Sequence, residues 1–223
     1  MDGRMYRDSS GRALAEYEHP SVAVDTALLS LDPDAGLVVL QVRRANGPGW
    51  ALPGTFLHNG ETLAKAVDRS LRDKANVRGV HPRQLHVFDD PDRDDRGWVL
   101  SVAHIEIVPL HRLKSRFASS TRLMPVTARV PLPWDHRKII NRAVKHIRAR
   151  YIAEPDPDGL LGDEFTLREL RLAHEAVAGE TLMRDAFRRT MERHLDETGA
   201  TRDGIRGRPA ELFRRKKGAT VRP

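Results

Sequence analysis

The stretch Gly54–Val77, GTFLHNGETLAKAVDRSLRDKANV, reads as a glycine-bearing loop that runs directly into one amphipathic helix. Leu63, Val67, Leu71 and Ala75 recur at the spacing that lines apolar side chains along a single helical face. Asn76 follows them, and an amide side chain tolerates the left-handed conformation that closes a helix.

Upstream of this unit, Ser21–Leu31 (SVAVDTALLSL) reads as a strand, DPDAG as a turn, and LVVLQVRR as a second strand, which together make a hairpin. Residues 44–51 form a glycine-rich loop whose Trp50 is either the rim of a pocket or an anchor in the core. Downstream, Gln84–Phe88 is a short strand, DDPDRDDRG a charged loop, and Trp98–Val108 a long alternating strand. Pro109–Thr127 has the low periodicity of a loop. Ile139, Ile140, Val144, Ile147 and Ile152 then define the apolar stripe of a helix that closes the first domain.

The bulk composition fits a soluble globular protein. Among 223 residues, 39% are apolar and 31% charged, and no apolar run is long enough to span a membrane. The start of the chain has no apolar segment of the signal-peptide type, so the expectation is a cytoplasmic protein with no membrane partner. Cysteine is absent, which excludes disulfides, thiol nucleophiles and cysteine-ligated zinc. The formal charge is +7, and the segment from Thr181 onward supplies six of those charges, with twelve basic residues against six acidic ones. A positive balance of this kind attracts nucleic acid and acidic membranes alike, and its concentration in one segment locates the attraction there.

The run AEPDPDGLLGD, Ala153–Asp163, marks a boundary. The expected organisation is a flexible arm over residues 1–18, an effector-binding domain over 19–153, a linker over 154–163 and a DNA-binding domain over 164–223. Thr166 and Glu169 form a capping-box pattern at the start of a helix whose stripe is Leu167, Leu170, Leu172, Ala173 and Val177 and whose end is Gly179. A second helix, LMRDAFRRTMERHL, buries Leu182, Phe187, Met191 and Leu195 and turns Arg184, Arg188 and Arg189 outward. Two helices joined by a short glycine turn match a helix-turn-helix, in which the second helix enters the major groove of double-stranded DNA. The remaining sequence reads as two strands around a basic turn, a wing carrying Arg202, Arg206 and Arg208.

The loop-helix stretch resembles the Nudix signature: a glycine, five residues, a glutamate, seven residues, then Arg-Glu-aliphatic-any-Glu-Glu-any-Gly-aliphatic. Here the first glycine falls on Thr55, the glutamate is Glu61, the arginine is Arg69, and the three acids that hold Mg²⁺ in that family are Ser70, Asp73 and Lys74. An ammonium repels a magnesium ion that requires anionic oxygen ligands, so no metal, no catalytic residue and no efficient hydrolysis are expected. WALPGTFLHNGETL, HVFDDPDRDDRGWVLSVAH and PWDHRKIINRA, together with FTLRELRLAHEAVAGETLMRDAFRRTMERHLDETG and GRPAELFRR, are similar to the Nudix-related transcriptional regulators of NAD metabolism.

That resemblance implies an α/β (α+β) fold, a Nudix-like α/β/α sandwich followed by a winged helix-turn-helix domain. It implies a homodimeric repressor of NAD biosynthesis or salvage genes, released from its operator by ADP-ribose or a related nucleotide. No cofactor is required. Arg43, Arg44 and Lys74 are the expected diphosphate-binding cations, with Lys74 partly replacing the metal. Trp50 and Phe56 are candidates to stack on the base, and Arg96 lies in a loop that faces the pocket in similar proteins. Arg69 is expected to brace the helix against Glu61. The alternatives are a metal-dependent hydrolase of a nucleoside diphosphate derivative with an accessory domain, or a first domain that only dimerises.

Overall fold

The computed structural model describes residues 6–202 and 209–216. Its centre is β1 (Ser21–Asp32), whose middle residues are buried without a break. An unbroken apolar strand is what coverage on both faces requires. β1 pairs antiparallel with β2 (Gly36–Arg43) and parallel with β6 (Val99–Ile107), from Ser21 opposite Val99 to Leu29 opposite Ile107. β6 in turn pairs antiparallel with β5 (Arg83–Phe88).

The sheet forks along one edge of β1. Ala23–Asp25 pair with β4 (Gly54–Phe56), whereas Leu29–Asp32 pair with β2. β2 then carries β3 (Trp50–Ala51) at its far end and β7 (Thr121–Pro125) along its outer edge, completing a seven-stranded mixed sheet. The fork leaves an opening between β2 and β4, and the candidate site lies there.

Helix α1 (Leu63–Ala75) covers one face, with Ala66, Val67, Leu71 and Ala75 packed on Val24, Leu28 and Leu40. Helix α2 (His136–Ala153) covers the other, with Ile139, Ile140, Ala143 and Ile147 on Ala27, Leu29, Val39 and Ile105. The result is the expected α/β/α sandwich. Asn76 ends α1 at φ 53°, the left-handed cap read from its side chain, and its amide also donates to the Ser115 carbonyl at 2.7 Å.

Described residues between Phe165 and Arg215 form a second unit. β8 (Phe165–Thr166), β10 (Ala210–Arg215) and β9 (Leu195–Arg202) make an antiparallel sheet in that order. Helices α3 (Leu167–Ala178) and α4 (Arg184–Met191) close over a core of Phe165, Leu170, Phe187, Met191, Leu195 and Phe213. Thr166 caps α3, accepting from the Glu169 amide at 3.1 Å while Glu169 accepts from the Thr166 amide at 2.8 Å. Gly179 stops the helix at φ 77°.

Four local readings need correction. Pro109–Thr127 is not all loop, because it contains a 3₁₀ turn at Leu110–Leu113 and the strand β7. Ile152 is 76% exposed, and Tyr151 takes its place in the core. From Ile147 a step of four residues returns to the same helical face and a step of five does not. Leu172 is exposed for the same reason, since two residues after Leu170 lies on the far side of α3. The last helix is also shorter than expected, with Leu182 before it and a 3₁₀ turn over Glu192–His194 after Met191.

The two units meet along α2 and α3. Val177 of α3 joins the core of the larger unit, and Arg148 Nε donates to its carbonyl at 3.0 Å. Tyr151, His174 and Phe187 form an edge-to-face series with successive centroids 5.0 Å apart. Asp156, fully buried in segment 154–163, accepts from Leu160 N (2.8 Å), Leu161 N (3.0 Å), the Tyr151 hydroxyl (3.3 Å) and Arg215 Nη1 (2.6 Å). That segment is thereby fastened to α2 and β10. Near the start of the chain, residues 7–17 close a turn in which the Asp8 carboxylate accepts from the Ser10 and Arg12 amides.

Candidate functional site

The fork opens into a cleft of about 670 Å³. Its floor comes from β1 and β4, one wall from the last turn of α1, another from the end of β2, and its rim from loop 93–96, Trp134 and the first residue of α2, His136. That volume lies within the range of small-molecule pockets.

Asp25 is the buried anion at the base. Ser101 Oγ donates to it at 2.6 Å, His136 Nε2 lies 3.2 Å away and Arg93 Nη2 lies 3.8 Å away. Burial opposes its ionisation, but His136, Ser101 and Arg93 together outweigh burial and hold the carboxyl below its usual range. The Leu52 amide donates to His136 Nδ1 at 3.0 Å, which fixes that nitrogen as the acceptor and leaves Nε2 to donate to Asp25. Gly54 is dictated by the same crowding, because a Cβ there would lie 2.0 Å from Asp25 Oδ1.

Arg93 lies almost wholly inside the protein, with Nε on Asp135 at 3.0 Å. Arg96 is held bidentately by Asp94, at 2.8 and 2.6 Å. Its guanidinium carbon lies 4.1 Å from the Trp134 ring and 4.9 Å from the Phe56 ring. Trp134 adopts φ 51°, a conformation that costs a bulky residue about 1–3 kcal/mol, and Asp95 anchors its indole nitrogen at 3.0 Å.

On the α1 side, Arg69 braces the preceding loop. It grips Glu61 at 2.8 and 2.7 Å and also donates to Thr55 Oγ1 and the Phe56 carbonyl. The Arg69 hydrogen bonds, with help from the His58 amide, hold the Glu61 carboxyl at about 2. Lys74 donates to the Gly54 carbonyl, and burial pushes its ammonium below the usual lysine range against the pull of Asp25. Arg43, Arg44 and Lys74 face the cleft without a carboxylate partner among the described residues.

A magnesium ion does not fit this donor set. Ser70 is buried, Asp73 is paired with Arg72, position 74 is a lysine, and both Glu61 oxygens are engaged. Among the described residues no three His, Cys, Asp or Glu side chains cluster to hold a metal.

Of the sequence candidates, Arg43, Arg44, Phe56, Lys74 and Arg96 line the cleft. Trp50 does not. It stands opposite Arg43 in the β2–β3 pair, and its ring is covered by Arg43 at 5.4 Å and Arg122 at 4.5 Å. Trp134 is the wall that the sequence reading missed, together with Asp25, Arg93, Asp94 and His136. Its signal was an aromatic in the Pro-Trp-Asp run just ahead of a helix.

On the second unit, Arg184, Arg188 and Arg189 are all exposed on α4. Glu192 holds Arg188 at 2.7 Å, and Arg202 is tied to Glu169 at 2.7 Å. Arg206 and Arg208 lie outside the described residues. Among the described residues no helix is long and apolar enough to cross a membrane.

Residues 159–215 match the model of the NrtR DNA-binding winged helix domain. The chain superimposes on NrtR of Shewanella oneidensis, crystallised with a 27mer DNA, with a TM-score of 0.73 and 32% identity over 87% of this chain and 93% of that one. The NUDIX domain of the same Shewanella protein, crystallised with ADP ribose, matches with a TM-score of 0.53 and 26% identity over 62% of this chain and 95% of that one. An ADP-ribose pyrophosphatase from Methanocaldococcus jannaschii is 34% identical over 128 residues, which are 56% of this chain and 73% of that protein. A Nudix-like sheet joined to a winged helix, and aligned over 93% of NrtR at 32% identity, places this chain in the NrtR family of Nudix-related transcriptional regulators.

Proposed function

We propose that the chain is a homodimeric DNA-binding repressor of NAD biosynthesis or salvage genes, released from its operator when ADP-ribose or a related nucleotide occupies the cleft. One observation carries the reading: a single helix serves both sites. His136, in the first turn of α2, walls the cleft, and Tyr151, in its last, packs on His174 of the DNA-binding unit. The 18 residues of α2 span about 27 Å.

Arg43, Arg44 and Lys74 supply the charge for a diphosphate, with Lys74 taking the part of the metal. The base stacks against Phe56 or Trp134. Arg184, Arg188 and Arg189 face the major groove, Arg202, Arg206 and Arg208 belong to the wing, and the boundary between the two functions falls in 154–163. ADP-ribose releases DNA only to the extent that it binds one dimer geometry better than the other, typically by about 1–3 kcal/mol.

The experiment is selection of bound fragments from genomic DNA, followed by gel retardation of a selected fragment with and without ADP-ribose at constant salt. Release is expected. In calorimetry Lys74→Ala should weaken ADP-ribose about 10- to 100-fold, the loss of a charged hydrogen bond. Unchanged affinity would remove Lys74 from the diphosphate site.

The similarity to a pyrophosphatase favours one rival, a hydrolase that recruits metal through Asp73 or Glu61. Turnover of ADP-ribose with Mg²⁺ or Mn²⁺, measured beside the binding titration, separates them. Binding without turnover supports the regulator, and brisk turnover supports the enzyme.

A further inference from the structure

Met183, at the N-terminal boundary of α4, is 80% exposed, more than any other large apolar residue among those described. Its neighbours explain nothing about that exposure, since Leu182 and Phe187 turn into the core of the unit and Met183 belongs to no apolar cluster. It stands instead among exposed polar and charged residues, Thr181, Arg184 and Asp185. Arg188 is engaged by Glu192, whereas Arg184 and Arg189 have no carboxylate within ion-pair distance among the described residues.

In a helix-turn-helix the start of the second helix meets the base edges of the major groove. The apolar feature of those edges is the 5-methyl group of thymine, while the other groups there are hydrogen-bond donors and acceptors. A flexible thioether held out beside Arg184, at the start of the helix that approaches DNA, matches that one group. We propose that Met183 is a specificity residue that packs on a thymine methyl and selects a T·A pair beside the position engaged by Arg184. This rests on the DNA-binding reading above.

Replacing dT by dU deletes the methyl and leaves the hydrogen-bonding edge intact. In a fragment selected by the full-length protein, each thymine is replaced singly by dU and affinity is measured at fixed salt. The wild type should lose about threefold to tenfold at one position, the contribution of one or two buried apolar carbons. Met183→Ala should be indifferent to dU at that position, and Met183→Leu should restore the discrimination. Arg189→Ala should weaken all sequences while keeping the dU effect. If dU costs Met183→Ala as much as it costs the wild type at every position, the inference is overturned while DNA binding stands. If the wild type retains no genomic fragment, the DNA-binding reading falls and takes this inference with it.

Discussion

The two ends of α2 are built from different materials. At the first turn, Asp25, Arg93, Asp94, Asp135 and His136 interlock as buried charge and hydrogen bonds. At the last, Tyr151, His174 and Phe187 meet as rings, edge to face. A charged ligand can act directly on the first arrangement by competing for its partners. The second packs by shape, because rings in van der Waals contact transmit displacement, and the buried charge beside them, Asp156, is already held by Tyr151, Leu160, Leu161 and Arg215. The helix between them thus joins charged groups that line the cleft to a ring cluster that lies away from it.

The largest effect should come from removing a charge at the cleft end. Asp25→Ala leaves the buried Ser101 Oγ and His136 Nε2 without their acceptor and removes one of three carboxylates around Arg93, and should cost about 3–5 kcal/mol in urea unfolding, the usual penalty for breaking a buried charged network. A loss below about 1 kcal/mol would mean that the network is not holding the fork together. At the other end volume matters more than charge. Phe187→Ala should cost about 3 kcal/mol or slightly more. It should abolish DNA retention while leaving ADP-ribose affinity within about twofold, because Phe187 packs in the core of the second unit and does not line the cleft.

Acid should distinguish the ends next. Burial pushes the His174 imidazole down to about 4, against a weaker opposing contribution from the Tyr151 backbone. An unfolded histidine titrates near 6.5, so between these values the unfolded chain binds a proton that the folded chain does not. Stability from this group is therefore complete above pH ~6.5 and falls by about 3 kcal/mol as pH drops toward 4. His174→Gln should flatten that part of the urea-midpoint profile, and an unchanged slope would assign the acid sensitivity elsewhere. The smallest effect belongs to Thr166→Ala, which removes the α3 cap and should cost about 1 kcal/mol by thermal melting, with no change at the cleft.

What the sequence displayed openly was local. Helix α1 was visible in the spacing of Leu63, Val67 and Leu71 and in the amide of Asn76, and the start of α3 in Thr166 and Glu169. Each of these signals lies within a few residues of the feature it specifies. β7 was hidden because five residues ending in proline become a strand only through pairing with β2, some eighty positions away. Trp134 and His136 were hidden for the same reason, since the loop that holds one and the carboxylate that orients the other come from distant parts of the chain. Trp50 misled because an aromatic beside a glycine loop looks like a ligand wall, whereas the register of β3 gives its ring to two arginines.

The parallel ladder between β1 and β6 bears on how the protein is made. Ser21 finds Val99, and Leu29 finds Ile107, only after the whole intervening stretch has been synthesised. Closing so long a loop comes before any pairing reward, which slows assembly. During translation the β1–β2 hairpin can form, but the edge of β1 that takes β6 must wait unpaired, the interval in which a chaperone has most to offer. The back half draws its own sheet and helices from about sixty neighbouring residues and can fold promptly once released.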